Sequence, residues 1–142
     1  MSINIYKKIG MMTFFYLAVM LSASAEVVLV THSSNDATLD KKSVQRIFLG
    51  KAKKFSNGKE AIPINQVEGA AARNAFDSGI LGRSSSQISA YWSKLVFTGK
   101  GIPPKEVESD ADVINLISDN PSCIGYIDSS AVTDAVRVIS LN

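Results

Sequence analysis

The chain has few of the residues that build disulfides and metal centres. Its 142 residues include one cysteine and one histidine. A single cysteine makes no internal disulfide, so the fold must be held by its hydrophobic core. A single histidine leaves no second imidazole for a zinc site, and we expect neither a metal nor a cofactor. We interpret Cys123, in the stretch Cys-Ile-Gly-Tyr-Ile, as a small buried hydrophobe of a strand.

The same scarcity argues against an enzyme. The single histidine, His32, has Ser33, Ser34 and Asp36 beside it, so a Ser-His-Asp hydrolase has to be considered. Triad residues converge in space rather than in sequence, and the chain has no G-x-S-x-G nucleophile motif. We therefore expect no catalytic residue, and His32 is interpreted as a loop residue without a chemical role.

Residues 1–25 have the three parts of a secretory signal. Lys7 and Lys8 precede an apolar run, and Ala23-Ser24-Ala25 fits the small-residue cleavage site. The apolar run, Met11–Leu21, is shorter than the roughly 20 residues that a spanning helix needs, so an uncleaved anchor is the weaker alternative. No cysteine lies near the cleavage site, which argues against a lipid anchor. We predict a periplasmic or secreted protein.

The part that remains after cleavage has no surplus of either charge. The whole sequence has 15 basic and 13 acidic residues, and removal of the two lysines of the signal makes these numbers equal. Binding to nucleic acid needs a basic surplus that displaces counterions, so we exclude nucleic acid as a partner. Residues 26–142 suffice for one domain with one modest core.

Strands alternate with helices along this domain, which is typical of an α/β fold with a parallel or mixed sheet. The most clearly marked helix begins after Ser84, which with Gln87 fits a capping box, and ends at Gly99. Its apolar face consists of Ile88, Tyr91, Trp92 and Leu95. The remaining helices are predicted after Thr38 or Asp40, over a short stretch broken by Gly79 and Gly82, and after Ser109 with Asp112. The strands are predicted over residues 26–31, 60–67, 123–127 and 136–141.

The segment Gly69–Arg73 is the most specific candidate for a ligand site. A glycine between a strand and a helix start lets the backbone approach a ligand, and the free N–H groups there attract an anion. Arg73 would add a charge and a bidentate fork. The loop after the first strand joins the site if it faces the same anion. The residues assigned to the site are Thr31, Ser33, Ser34, Gly69, Ala70, Ala71 and Arg73. The alternative is an ordinary tight turn followed by a surface arginine.

Five segments follow one another in a recognisable order. They are Ile47–Lys51 (IFLGK), Asn57–Asn65 (NGKEAIPIN), Arg73–Phe76 (RNAF), Tyr91–Pro104 (YWSKLVFTGKGIPP) and Cys123–Ile127 (CIGYI). In order and spacing they resemble the PstS-like phosphate-binding proteins of ABC transporters, above all the short, single-lobe members. The resemblance implies a type II periplasmic-binding-protein-like fold, phosphate as ligand, and a transporter permease or another envelope protein as partner.

The chain departs from this family where the ligand would be gripped. Full-length relatives hold phosphate between two lobes, with an arginine and a Gly-Ser-Gly-Thr turn; the corresponding positions here are Gln66 and Gly69–Ala72. Each lost charge-assisted hydrogen bond removes roughly 1.5 to 3 kcal/mol. We therefore expect phosphate or another oxyanion to be bound weakly or together with a partner. The alternative is an envelope interaction or assembly module that keeps the fold without a ligand.

Overall fold

The computed structural model describes residues 25–141 as a five-stranded sheet with helices on both faces. The strands are β1 (Val27–His32), β2 (Ile62–Gln66), β3 (Lys105–Val107), β4 (Cys123–Asp128) and β5 (Val136–Ile139). The helices are α1 (Lys41–Phe48), α2 (Ala71–Phe76), α3 (Ser85–Phe97) and α4 (Asp110–Asp119), with a π turn (Asp77–Leu81) after α2 and a 3-10 turn (Ser129–Ala131) after β4. The predicted signal, up to residue 24, lies outside the described residues.

The sheet is mixed, and its strand order is β3-β2-β4-β1-β5. β2 runs parallel to both β3 and β4, whereas β1 runs antiparallel to both β4 and β5. This confirms the predicted α/β fold. Between residues 25 and 141, no helix is both long enough and apolar enough to cross a bilayer.

The core forms two layers because side chains alternate across the strands. Leu29 belongs to the layer under α1, α2 and α3, and the next residue, Val30, belongs to the layer under α4. Gly125 of β4 allows α4 to pack closely, since a Cβ there would lie 2.6 Å from Val113 Cγ1. Cys123 is buried in the α4 layer, as predicted.

Side-chain caps fix the starts of the helices where the sequence predicts them. Asp40, rather than Thr38, caps α1 and accepts a hydrogen bond from Ser43 N at 2.7 Å. Ser84 and Gln87 form the complete capping box of α3, with bonds of 3.2 and 3.0 Å. These caps supply hydrogen-bond acceptors for backbone N–H groups in the first turns of α1 and α3.

One local prediction is wrong, and one strand is missing from the predictions. Gly79 does not break the helix after α2, because the chain passes through it in a π turn and ends at Gly82, whose φ is 68°. The wider turn lets both Phe76 and Leu81, five residues apart, reach the same core layer. A fifth strand, β3, follows Pro104 and pairs with β2, and no strand is predicted there.

Candidate ligand site at the carboxyl end of β2

Arg73 is a buried side chain with internal partners, not a surface arginine. Only 2% of it is exposed. Its Nε donates to Asp77 Oδ2 at 2.7 Å, and its Nη1 donates to the Gln66 carbonyl at 2.8 Å and to Glu106 Oε1 at 3.2 Å. Two carboxylates of the chain already face the guanidinium, so an anion at Arg73 would compete with them.

Asp77 is the main electrostatic partner of this arginine. Burial disfavours the charged guanidinium, but the hydrogen bond and the negative charge of Asp77 outweigh it, and the pKa of Arg73 is raised. Asp77 is fully buried and also accepts from Ser85 Oγ at 2.7 Å. Its Oδ1 has no donor among the described residues. The pair ties α2 and the π turn to the first residue of α3.

A second polar network closes the end of β2. Gln66 Nε2 donates to Asp110 Oδ1 at 2.7 Å and to the Tyr126 carbonyl at 3.1 Å. The Tyr126 hydroxyl donates to Asn65 Oδ1, and burial raises the pKa of Tyr126, so that this hydroxyl keeps its proton. Gln66, at the position where the resemblance places an arginine, thus joins β2 to β4 and to the start of α4.

A cavity of about 270 Å³ lies beside these networks. Its polar walls are formed by Asn65, Arg73, Ser89, Trp92, Ser93 and Glu106, and we name it the Arg73 cavity. Trp92 is 7% exposed, and its Nε1 has no acceptor among the described residues. A buried N–H without an acceptor costs free energy, so Trp92 Nε1 is a donor that the described fold leaves unsatisfied. The volume suits a small ligand.

The predicted backbone positions lie at the same end of β2 as Arg73 but do not line this cavity. Gly69, Ala70 and Ala71 lead into α2, and the cavity walls include Arg73 without these three residues. Ala70 N donates to the Val67 carbonyl at 3.2 Å, so one of the N–H groups predicted for an anion is used by the turn itself. The turn at Gly69 and the Arg73 guanidinium therefore do not line one common ligand site.

Thr31, Ser33 and Ser34 lie at the opposite end of the sheet from Arg73. β1 is antiparallel to β4, which pairs Thr31 with Ile124 near the start of β4. β2 is parallel to β4, so the carboxyl end of β2 lies near the carboxyl end of β4, at the opposite edge of the sheet from Thr31. The expectation that the loop after β1 faces the same anion as Arg73 is therefore wrong, because the two lie at opposite edges of the sheet. Thr31 is also completely buried, with no partner for its Oγ1 in the described part of the chain.

His32 takes part in a local contact only. Its Nδ1 lies 2.7 Å from Ser34 Oγ on the exposed loop. The Asp36 carboxylate, which a triad would need, accepts instead from Asn57 Nδ2 at 2.9 Å. The three neighbours therefore do not form the hydrolase arrangement considered from the sequence.

The sequence reasoning missed most of the cavity walls. The sequence predicts Trp92 on the apolar face of α3 and gives no signal that Ser89 or Ser93 lines a cavity. Asp77 carried the one available signal, because it follows Arg73 by four residues on a helix, the spacing of an ion pair. The contribution of Glu106 depends on β3, which was not predicted.

Comparison with known proteins supports this fold through structures and not through sequences. Neither the protein-family models nor the curated proteins compared with this chain match it. Among solved structures, a protein of Clostridium perfringens named as a phosphate ABC transporter substrate-binding protein with bound phosphate matches with a TM-score of 0.65 and 20% identity over 82% of this chain. An ABC-type phosphate transport receptor of Vibrio cholerae matches with a TM-score of 0.65 and 16% identity, also over 82%. PstS of Borrelia burgdorferi matches with a TM-score of 0.63 and 14% identity over 83% of this chain.

These similarities define a PstS-like fold, of which the chain forms a single lobe. The match covers 45%, 46% and 47% of the three proteins, so this chain spans about half of their length. The three names describe binding proteins and receptors of transport systems, and the predicted PstS-like fold is confirmed.

Proposed function

We propose that this chain is a periplasmic or secreted substrate-binding protein, not an enzyme, that binds phosphate or another small oxyanion weakly or together with a partner protein. The observation that carries the proposal is the PstS-like fold combined with the Arg73 cavity, which is lined by Arg73 and by Trp92, whose Nε1 has no acceptor in the described residues. A transporter permease or another envelope protein is the proposed partner.

Charge around the cavity explains why binding would be weak. Arg73 supplies one positive charge, whereas Asp77 and Glu106 supply two negative ones. Asp77 is fully buried, but the Glu106 side chain is 50% exposed. An incoming anion therefore has to displace Glu106 from Arg73, and this internal carboxylate acts as a competitor for the guanidinium.

Glu106→Gln tests the proposal without touching the buried pair. Removal of the competing charge should tighten phosphate binding about fivefold, since a half-exposed ion pair contributes about 1 kcal/mol. Phosphate at a hundred times its dissociation constant should stabilise the native fold by about 2.7 kcal/mol. Thermal melts and calorimetry with phosphate, sulfate and small carboxylates measure both effects, with ionic strength matched by chloride.

Glu108→Gln is the matched control, because Glu108 is exposed and forms no ion pair in the described residues. If no oxyanion raises the melting temperature beyond the chloride control, the ligand-free interaction module replaces this proposal. If an oxyanion binds but Glu106→Gln has no more effect than Glu108→Gln, the ligand does not use the Arg73 cavity.

A further inference from the structure

A second concave surface lies on the other side of Trp92. This groove has a volume of about 670 Å³. Its walls are Leu49–Lys51 and Lys53 after α1, Tyr91, Trp92 and Leu95 on α3, and Gly99–Ile102 beyond α3. We name it the Trp92 groove. It shares only Trp92 with the walls of the Arg73 cavity.

The floor of the groove is held in place by contacts within the chain. The Tyr91 hydroxyl donates to the Leu49 carbonyl at 2.6 Å, and the Tyr91 and Trp92 rings meet edge to face with centroids 5.3 Å apart. At Gly50, with a φ of 72°, an added Cβ would lie 2.8 Å from Trp92 Cη2, so only glycine lets the backbone approach the indole this closely. A floor that is formed before binding lowers the ordering cost of a complex.

The charges of the groove have one sign. Lys51, Lys53 and Lys100 belong to its walls, and no acidic residue does. In residues 25–141, none of these three lysines forms an ion pair. The chain has almost equal numbers of acidic and basic residues, so this is a local excess that favours a negatively charged partner.

A large apolar side chain is exposed in the groove wall. Ile102 is 90% exposed, and Phe97, two residues before Gly99 of the groove wall, is 93% exposed. Val96 is 53% exposed but lines the Arg73 cavity instead. Exposed apolar side chains beside a polar rim mark interaction sites.

We infer that the Trp92 groove docks a segment of a partner protein that presents apolar anchors flanked by acidic residues. The apolar anchors would bury against Tyr91, Trp92 and Ile102, and the carboxylates would meet the three lysines. The concave shape favours a peptide segment over an anionic membrane. A flat bilayer would span the mouth of the groove and leave its floor without contacts, whereas a peptide can fill it. This docking function is independent of oxyanion binding, since none of the groove lysines lines the Arg73 cavity.

Trp92 is the only tryptophan of the chain, so its fluorescence reports on binding at the two surfaces that it lines, and the groove variants below assign a change to the groove. The probe is a pool of tryptophan-free peptides of about twelve residues, built from leucine, phenylalanine and glutamate. Titration into the purified protein should give a saturable change of Trp92 emission. A second pool with lysine in place of glutamate should give none, and neither should phosphatidylglycerol or phosphatidylcholine vesicles.

Variants then separate the charge from the apolar anchor. The double variant Lys51→Glu/Lys100→Glu should weaken peptide binding about tenfold, because two favourable charge contacts become unfavourable. Ile102→Ser should weaken it about tenfold as well, through loss of apolar burial. The matched controls are Lys42→Glu and Val138→Ser, which change an exposed lysine and a partly exposed valine outside the groove. Both should bind like the unchanged protein.

Circular dichroism and thermal melts establish that each variant is folded. The inference is overturned if the acidic pool does not bind, if the lysine pool binds equally well, or if the groove variants bind no worse than the controls. Emission changes with phosphatidylglycerol vesicles alone would assign the groove to a membrane surface instead. Phosphate binding, where present, should be the same in the groove variants and the unchanged protein.

Discussion

The two sides of Trp92 differ in how charge is arranged. On the side of the Arg73 cavity, a guanidinium with 2% exposure is matched by two carboxylates of the same chain. On the side of the Trp92 groove, three exposed lysines have no acidic neighbour in the walls. A charge whose partner lies inside the chain contributes to the fold, whereas a charge without one remains available for another molecule. The position of a charge in the sequence does not distinguish the two cases.

Trp92→Ala would break the comparison altogether, because both surfaces use the indole. We expect a loss of about 3 to 5 kcal/mol in the free energy of unfolding, the usual cost of removing a large aromatic from a core. Urea denaturation followed by circular dichroism measures it. Phe97→Ala is the matched control on the same helix, since Phe97 is 93% exposed, and should change stability by less than about 0.5 kcal/mol. A loss below about 1 kcal/mol for Trp92→Ala would contradict the burial of the indole.

Asp77→Asn would test the internally paired side alone. The amide keeps the shape of the carboxylate but loses the charge that faces Arg73, and we expect a loss of about 1.5 to 3 kcal/mol. Glu106 still faces the guanidinium in this variant, which limits the effect. Asp134→Asn, at an exposed position without an ion pair in the described residues, is the control in the same denaturation experiment. Equal stability of the two variants would show that the buried pair contributes nothing.

Asp40→Ala should have the smallest effect on stability, because Asp40 is exposed. It sharpens the comparison by testing a charge at the protein surface. Hydrogen bonds from Ser43 to the Asp40 carboxylate lower its pKa below 3.8. A carboxyl with a lower pKa in the folded state stabilises the fold above the unfolded value, and this contribution disappears as pH falls through the folded value. The melting temperature of Asp40→Ala should therefore lie slightly below that of the unchanged protein at neutral pH, and the gap should narrow below pH 3.8.

Asp40→Asn provides the control for this pH dependence. Its side chain still offers an acceptor at the helix start but does not titrate. The gap between this variant and Asp40→Ala should stay constant as the pH is lowered. If the difference in melting temperature from Asp40→Ala narrows equally for Asp40→Asn and for the unchanged protein, the pH dependence belongs to another acidic group.

The sequence predicted the parts of the fold that depend on local chemistry. The caps at Asp40 and Ser84, the stripe containing Ile88 and Trp92, and the apolar run of β4 each follow from neighbouring residues. The π turn was missed because Gly79 carries the signal of a helix break, while the spacing of Phe76 and Leu81 outweighs it in the folded core. Three-residue β3 has no periodic pattern of its own and exists because β2 offers an edge.

The site was less predictable, because it depends on strand direction and burial. Thr31 and Gly69 belong together only if β1 and β2 run the same way, and nothing in their sequences sets this direction. The spacing of Arg73 and Asp77 suits an ion pair but does not indicate that the pair is buried. The resemblance to PstS-like proteins identified the fold from five short segments, but it could not place Trp92 or Glu106 at the cavity wall.

The position of β1 has a consequence for the order of folding. β1 is the first strand of the described chain, yet its two neighbours in the sheet, β4 and β5, are the last. An Arg137 side chain that donates to the Asn35 carbonyl joins residues 102 positions apart in the sequence. The middle of the sheet therefore closes only after nearly the whole chain is available. Until then β1 has two unpaired edges, and folding pays the loop-closure entropy of about a hundred residues before these contacts form.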